Sequence, residues 1–180
     1  GQITKRVLDY LGSQIKEGMS TKDLDRLAYD FIKSCGATPS FLGYNGYPAS
    51  ICASIDEMVV HGIPSDDVII KKGQLVSIDV GVIYNGWQGD AARTFGVGEI
   101  SEEAQRLIDV TKQSFFEGLQ YVKEGYRIGD ISKAIQRYVE KNGFSVLRKY
   151  CGHGIGSELH EDPEVPNYVT GARGIRMRAG

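Results

Sequence analysis

The sequence lacks the features that mark membrane, secreted and nucleic-acid-binding proteins. No apolar run approaches the ~18 residues of a membrane-spanning helix, and there is no signal-peptide pattern. Lys and Arg number 21 against 23 Asp and Glu, so a net charge of −2 provides no basic excess for nucleic acid. The only cysteines, Cys35, Cys52 and Cys151, show no zinc-ribbon spacing. These absences favour one soluble, cytoplasmic domain with reduced thiols.

The sequence does contain an internal repeat. Residues 15–18 (IKEG) align with residues 122–125 (VKEG) at an offset of 107. Without a gap, the same offset places Gly36 on Gly143 and aligns the apolar positions between them. Apolar residues recur at helical spacing in both copies, so each copy predicts two helices followed by extended chain.

Capping residues predict where these helices begin and end. The first copy predicts a helix from about Ile3 and a second one capped by Ser20. The second copy predicts a helix capped by Ser101 that runs to Val122, and another that begins at Asp130. The glycines at the ends of both copies can supply left-handed stops.

A β-hairpin follows the first pair of helices. Residues 74–84 and 87–97 flank Asn85-Gly86, a dipeptide favoured in two-residue type I′ turns. Adding the offset of 107 to Gly73, just before the hairpin, gives Gly180, the last residue. The equivalent hairpin of the second copy would lie beyond this chain, and we therefore expect the sequence to be a fragment.

Two aspartates of the predicted hairpin fall on one face. If Tyr84 faces Trp87 across the turn, Asp90 pairs with Gly81, and Asp79 points to the same side as Asp90. A bulge near Gly89 would change this register. Because the strand around Asp79 is almost continuously apolar, a solvated role is unfavourable, and the pair predicts ligands for one or two metal ions.

The three histidines occur in loop or strand-end contexts beside glycine, proline or carboxylate. His61 stands in VHGIP, His153 in CGHGIG and His160 in LHEDP. Glycines around His153 allow backbone or ligand to approach closely. Two aspartates and one neutral imidazole suit zinc, manganese, iron or cobalt, and the spacing does not choose among them.

An aromatic loop precedes the hairpin. Residues 41–48 (FLGYNGYP) alternate large side chains with turn formers, as a surface loop would also do. The loop could instead wall a small apolar pocket, to which Cys52 would add a polarizable surface suited to a thioether.

Six segments together resemble type I methionine aminopeptidases over essentially the whole chain. They occur in the order and spacing of that family: residues 42–48 (LGYNGYP), 60–64 (VHGIP), 77–81 (SIDVG), 89–94 (GDAART), 152–156 (GHGIG) and 159–163 (LHEDP). Each segment is weak evidence alone, whereas six in register are specific.

The resemblance implies a fold and a domain organisation. The expected fold is the α/β (α+β) pita-bread fold, with two pseudo-symmetric helix-helix-hairpin halves around a curved antiparallel sheet. A single domain would span residues 1–180, with one repeat at 1–98 and an incomplete repeat at 99–180 that lacks its last hairpin.

The resemblance also implies residue roles. Asp79 would chelate one of two divalent ions (cobalt, manganese, iron or zinc), Asp90 would bridge both, and His153 would bind the other. His61 and His160 would act as catalytic histidines that contact substrate and the developing tetrahedral intermediate. Pocket-lining positions match Phe41, Tyr44, Tyr47, Cys52 and Leu159, the last replacing an aromatic residue common in the family.

The implied activity is removal of the initiator methionine from nascent proteins whose second residue is small. The implied partners are N-terminal methionyl peptides, with the ribosome as a further candidate, and the implied state is a cytoplasmic monomer. The family's two remaining metal ligands, both glutamates, would lie after Gly180. We therefore expect little or no activity from this chain as written.

Three other functions fit parts of the pattern. The same fold serves dipeptide-cleaving and creatine-cleaving enzymes, although the tyrosine loop and VHG favour the methionine enzyme. A non-catalytic binding protein of this fold would have lost metal ligands that are present here. An iron oxygenase with Asp and His ligands would need a β-barrel, which the helix-rich repeat disfavours.

Overall fold

The computed structural model describes residues 1–179 and divides them into two compact units. The first unit is formed by Gly1–Ser101 with Ile155–Leu159, and the second by the other described residues. The match of Gly73 to Gly180 falls outside the described residues. The organisation as one domain with repeats 1–98 and 99–180 stays a prediction.

The first unit packs two helices against an antiparallel sheet. Helices α1 (Gln2–Gln14) and α2 (Thr21–Ser34) precede β1 (Thr38–Pro39), a short 3₁₀-helix (Tyr44–Gly46) and β2 (Ile51–Ile55). The hairpin β3 (Leu75–Tyr84) and β4 (Trp87–Gly96) completes the sheet. Strand β3 is central, with β4 along one edge and with β1 and β2 along the other.

The core of this unit lies between the helices and the sheet. Its fully buried side chains follow the helical spacing seen in the sequence and alternate positions of β3. They include Val7, Leu8, Leu11, Leu24, Ala28, Ile32, Ile51, Val76, Ile78 and Val80.

The predicted cap of α2 is confirmed. The Ser20 hydroxyl accepts the Asp23 N–H at 3.0 Å, and the Asp23 carboxylate accepts the Ser20 N–H at 2.9 Å. This reciprocal capping box satisfies two N-terminal donors of the helix. Gly36, with a φ of 69°, follows the helix in the left-handed conformation.

The second unit consists of α3 (Glu102–Leu119), α4 (Ile128–Lys141) and a small hairpin of β5 (Gly152–Gly154) and β6 (Glu161–Val165). Two predicted bounds were wrong. Helix α3 ends at Leu119 rather than Val122, and α4 begins at Ile128 rather than Asp130. Asp130 lies within the first turn, where its carboxylate accepts the Arg127 N–H at 2.9 Å.

The two units repeat the same local structure at the offset of 107. Helices α2 and α4 each have 14 residues and begin and end at equivalent positions. The isolated bridge between Ser20 and Ile69 has its equivalent in the bridge between Arg127 and Arg176. The part of the sequence repeat that spans these two helices and the two bridges is therefore a repeat of backbone structure.

Within residues 1–179, none of the helices combines the length and apolar character needed to cross a membrane.

Candidate metal centre and side-chain pocket

The β3–β4 hairpin has the predicted register. Tyr84 pairs with Trp87, and Gly81 pairs with Asp90. No shift of register occurs at Gly89, which pairs with Val82. Because strand residues two apart point to the same face, Asp79 and Asp90 share one face of the sheet.

The two acids are electrostatically unfavourable as they stand. Burial of Asp79, followed by the charge of Asp90 and a hydrogen bond between the two carboxyl groups, raises the pKa of Asp79 to about 8. The Val80 backbone acts in the opposite direction. A partly buried pair of carboxyl groups that converge in this way fits a divalent cation, whose charge would offset their repulsion.

A small apolar cluster lies in the same unit. Phe41, Cys52 and Leu159 are buried together, and Tyr47 packs against them. Gly81 makes room for this cluster, since a Cβ there would lie 2.5 Å from the Phe41 ring. The structure thus brings together four of the five predicted pocket residues. The fifth, Tyr44, lies in the 3₁₀-helix and is 41% exposed.

The polar atoms of the cluster remain neutral at ordinary pH. Burial raises the pKa of Cys52 to about 11, with the charges of Asp79 and Asp90 acting in the same direction and a hydrogen bond with Tyr47 opposing them. Burial also raises the pKa of Tyr47, whose hydroxyl donates to the Ile51 carbonyl at 3.0 Å. A neutral thiol and a bound phenol suit contact with an uncharged side chain.

His61 is exposed and has a left-handed backbone, with a φ of 58°. Its neighbour Gly62 is fixed against β2, where the Ser54 hydroxyl accepts the Gly62 N–H at 3.1 Å and the Ala53 N–H donates to the Gly62 carbonyl at 2.9 Å. A Cβ on Gly62 would lie 2.3 Å from the Ala53 carbonyl oxygen, so this approach requires glycine.

The other two histidines lie together in the second unit. The rings of His153 and His160 are 4.3 Å apart between centroids. His153 Nδ1 lies 2.8 Å from the Gly154 carbonyl oxygen. Because a carbonyl can only accept, Nδ1 donates in this contact, and a metal would be bound through Nε2.

Among residues 1–179, no three His, Cys, Asp or Glu side chains group closely enough to hold a metal ion. The structure does bring Asp79 to Asp90, and His153 to His160. The complete ligand set of Asp79, Asp90 and His153 stays a prediction.

Two supporting residues were missed in the sequence. Asp25 is buried in α2 and accepts the Ser50 N–H at 2.7 Å, which ties the start of β2 to the helix. Gln88 on β4 contacts segments far away in the sequence. The only available signal was that Gln88 stands two residues before Asp90 and so shares its face.

Known proteins resemble this chain in sequence and in fold. Residues 1–180 match the profile of metallopeptidase family M24. The chain is 56% identical over 180 residues to methionine aminopeptidase of Clostridium acetobutylicum, covering all of this chain and 72% of that protein. It is 49% identical, with the same coverage, to methionine aminopeptidase 1 of Bacillus subtilis. The crystal structure of methionine aminopeptidase from Thermotoga maritima superposes with a TM-score of 0.96 and 41% identity, covering 99% of this chain and 72% of that one.

Proposed function

The chain belongs to metallopeptidase family M24, and on that premise we propose that it removes N-terminal methionine from polypeptides with a small second residue. It is a metal-dependent aminopeptidase of the methionine aminopeptidase type, and the expected pita-bread fold is confirmed by its structural relatives. The dipeptidase, oxygenase and non-catalytic alternatives have no comparable support.

The observation that carries the proposal is the position of the acid pair beside the apolar cluster in one unit. Asp79 pairs across the sheet with Cys52, a member of the cluster. A metal bound by Asp79 would therefore lie next to the pocket that receives the substrate side chain. This arrangement suits a peptidase whose reacting bond directly follows the recognised side chain.

Asp79, Asp90 and the Nε2 atom of His153 would hold two divalent ions of cobalt, manganese, iron or zinc. Bound cations of this kind lower the pKa of water and polarise a carbonyl group. The protein's part is to aim both carboxyl groups at one place, for which the rigid ladder of β3 and β4 provides the frame.

The histidines would act on the peptide itself. His61 and His160 would donate hydrogen bonds where negative charge develops on the carbonyl oxygen, which contributes ~3–4 kcal/mol per donor in comparable sites. The fixed backbone of Gly62 supports this role, because it limits the positions that the His61 side chain can reach.

The pocket would recognise methionine by shape and polarizability. Phe41, Cys52, Leu159 and Tyr47 present apolar surface and a neutral thiol to an unbranched thioether. Tyr44 would border the pocket from the loop. Leu159, as a smaller residue than the common aromatic, would widen one wall.

Turnover of short peptides tests the proposal. We expect the chain with added manganese or cobalt to release methionine slowly from Met-Ala-Ser, and to release neither alanine from Ala-Met-Ser nor methionine from N-acetylated Met-Ala-Ser. Chelation and the Asp79→Asn variant should abolish the release. Glu57→Gln, at an exposed acid after β2, serves as the matched control and should retain it.

Binding provides a second readout for a slow enzyme. Calorimetry should show that Met-Ala-Ser binds more tightly with manganese than without it. If neither metal-dependent binding nor methionine release occurs, the proposed function is wrong.

We further propose, from the family resemblance, that the protein acts as a cytoplasmic monomer on nascent chains, with the ribosome as its partner. Gel filtration and co-sedimentation with ribosomes would test these points. A stable dimer, or absence from the ribosomal pellet at low salt, would contradict them.

A further inference from the structure

Gln88 on β4 links its own strand to two other segments of the first unit, one at Ser40 and one at residues 156–157. Its side-chain carbonyl oxygen accepts the Ser40 hydroxyl at 2.7 Å, and its side-chain amide donates to the Ser157 carbonyl at 3.3 Å. Its backbone N–H donates to the Gly156 carbonyl at 2.8 Å. The partners are 48 and 69 residues away in the sequence, so these bonds fix tertiary structure.

Each segment that Gln88 holds leads directly into a wall of the pocket. Ser40 is buried and immediately precedes Phe41. Ser157 lies two residues before Leu159, which is 3% exposed. The Ser40 N–H also donates to the carbonyl of Gly81 in β3 at 2.9 Å. The Phe41 wall is therefore anchored on β3 as well as on Gln88.

The Leu159 wall has weaker local support. Residues 155–159 are not part of a helix or strand, and the Gly156 N–H bonds within the segment to the Glu158 carbonyl at 3.2 Å. Gln88 contacts this segment twice, through its backbone N–H to Gly156 and through its side-chain amide to Ser157, and so attaches it to β4. Because the segment lacks the hydrogen-bond ladder of a helix or strand, we expect the loss of one of these contacts to loosen it.

The chemistry of the side chain explains why glutamine serves here. A planar amide accepts and donates at once, as the Ser40 hydroxyl and the Ser157 carbonyl require. Glutamate could only accept, and its charge would face the Ser157 carbonyl. Methionine has a similar shape and replaces both bonds with apolar surface.

We propose that Gln88 is a positioning residue that holds the Phe41 and Leu159 walls at a fixed separation and so sets the preference for an unbranched side chain. The inference rests on the proposed function for the identity of the substrate. The attachment of residues 155–159 by Gln88 can be tested without any substrate.

The first experiment measures hydrogen–deuterium exchange of the peptide covering residues 155–160. We expect Gln88→Met to accelerate exchange there by about tenfold, the factor that corresponds to one hydrogen bond of ordinary strength. Gln88→Glu, which retains the Ser40 contact, should accelerate exchange as well. Ser40→Ala should leave this peptide nearly unchanged, since it removes only the contact on the Phe41 side.

The second experiment compares binding of Met-Ala-Ser and Leu-Ala-Ser in the presence of manganese. We expect Gln88→Met to lower the preference for methionine over the branched leucine by roughly tenfold, mainly through weaker binding of Met-Ala-Ser. Adding Ser40→Ala to Gln88→Met should cause no further loss, because both variants remove the same bond.

Gln136→Met is the matched control. The Gln136 amide also joins separate segments, accepting the Val169 N–H at 2.8 Å and donating to Glu140 at 2.7 Å, but it lies in the second unit. We expect it to change neither the exchange of residues 155–160 nor the methionine preference. Unchanged exchange and preference in Gln88→Met, or equal effects from Gln136→Met, would overturn the proposal.

The two proposals can fail separately. If the wild-type chain shows no preference for Met-Ala-Ser, the proposed function is wrong and so is the specificity role of Gln88. If the preference is present and Gln88→Met leaves it intact, the function stands and the role of Gln88 is wrong.

Discussion

Asp79 is the residue at which local and functional requirements conflict. It lies in β3 on the face opposite to that of Ile78 and Val80, and burial there disfavours its charged form. The same position places its carboxyl group against Asp90. A half-buried acid beside another acid is costly to the metal-free protein and useful for binding a cation.

Asp79→Asn should stabilise the metal-free chain at neutral and alkaline pH. The folded pKa of Asp79 is raised to about 8 from 3.8, so folding favours its protonated form. The stability that Asp79 contributes by being protonated in the folded state is fully present below the unfolded pKa of 3.8. It is lost as the pH rises toward the folded pKa of about 8. Asparagine resembles the protonated acid and stays uncharged as the pH rises, so the variant does not lose this stability.

Thermal unfolding in chelator checks this expectation. The melting temperature of Asp79→Asn should exceed that of the wild type, and the difference should widen between about pH 5 and pH 8. Each kcal/mol of unfolding free energy that the variant recovers should raise its melting temperature by roughly 2–4 °C. Manganese should raise the melting temperature of the wild type and have little effect on the variant. Asp30→Asn, at an exposed acid on α2, should show neither effect, and a variant less stable than wild type at pH 8 would contradict the argument.

At the scale of elements, local signals were sufficient for the β3–β4 hairpin. Asn85-Gly86 adopts the expected left-handed turn, with φ values of 52° and 80°, and this two-residue turn sets the register that places Asp90 opposite Gly81. The attachment of residues 155–159 to β4 could not be predicted, since its partner Gln88 is distant in sequence. Periodicity reports which face of an element is buried, but not which loop covers it.

The repeat also shows where equal sequence positions have different surroundings. Leu8 of α1 and Phe115 of α3 are equivalent at the offset of 107, yet Leu8 is 2% exposed and Phe115 is 60% exposed. Helix α1 packs against α2 and both strands of the hairpin, whereas the extensive packing of α3 among the described residues is with α4. Gly118 permits that close approach, since a Cβ there would lie 2.9 Å from Ile135.

Leu8→Ala and Phe115→Ala should therefore differ in cost. Truncation of the buried Leu8 leaves a cavity and should lower the free energy of unfolding by ~2–5 kcal/mol. Phe115→Ala removes a largely exposed side chain and should cost less than about 1 kcal/mol. Urea unfolding followed by circular dichroism measures both, and equal losses would show that the α3 face is covered in solution.

For the whole molecule, the apolar core is distributed unevenly. The extensive cluster of buried aliphatic side chains belongs to the first unit. Among the described residues of the second unit, the buried hydrophobic side chains are Val110, Ile131 and Val139. Because burial of apolar surface is the main source of stability, the two units should differ in how readily they open.

Native-state hydrogen exchange of α2 and α4 tests this difference with matched elements. The helices have equal length and an aspartate at the same position, but Leu24, Ala28 and Ile32 of α2 are fully buried, whereas Ile131 and Val139 of α4 are each 8% exposed. After correction for intrinsic rates, we expect the central amides of α4 to exchange roughly tenfold faster than those of α2. A tenfold ratio corresponds to a difference of about 1.4 kcal/mol in the free energy of opening. Manganese should slow exchange in β3 through Asp79. Equal protection of the two helices would show that the stability of the second unit does not follow from its described core.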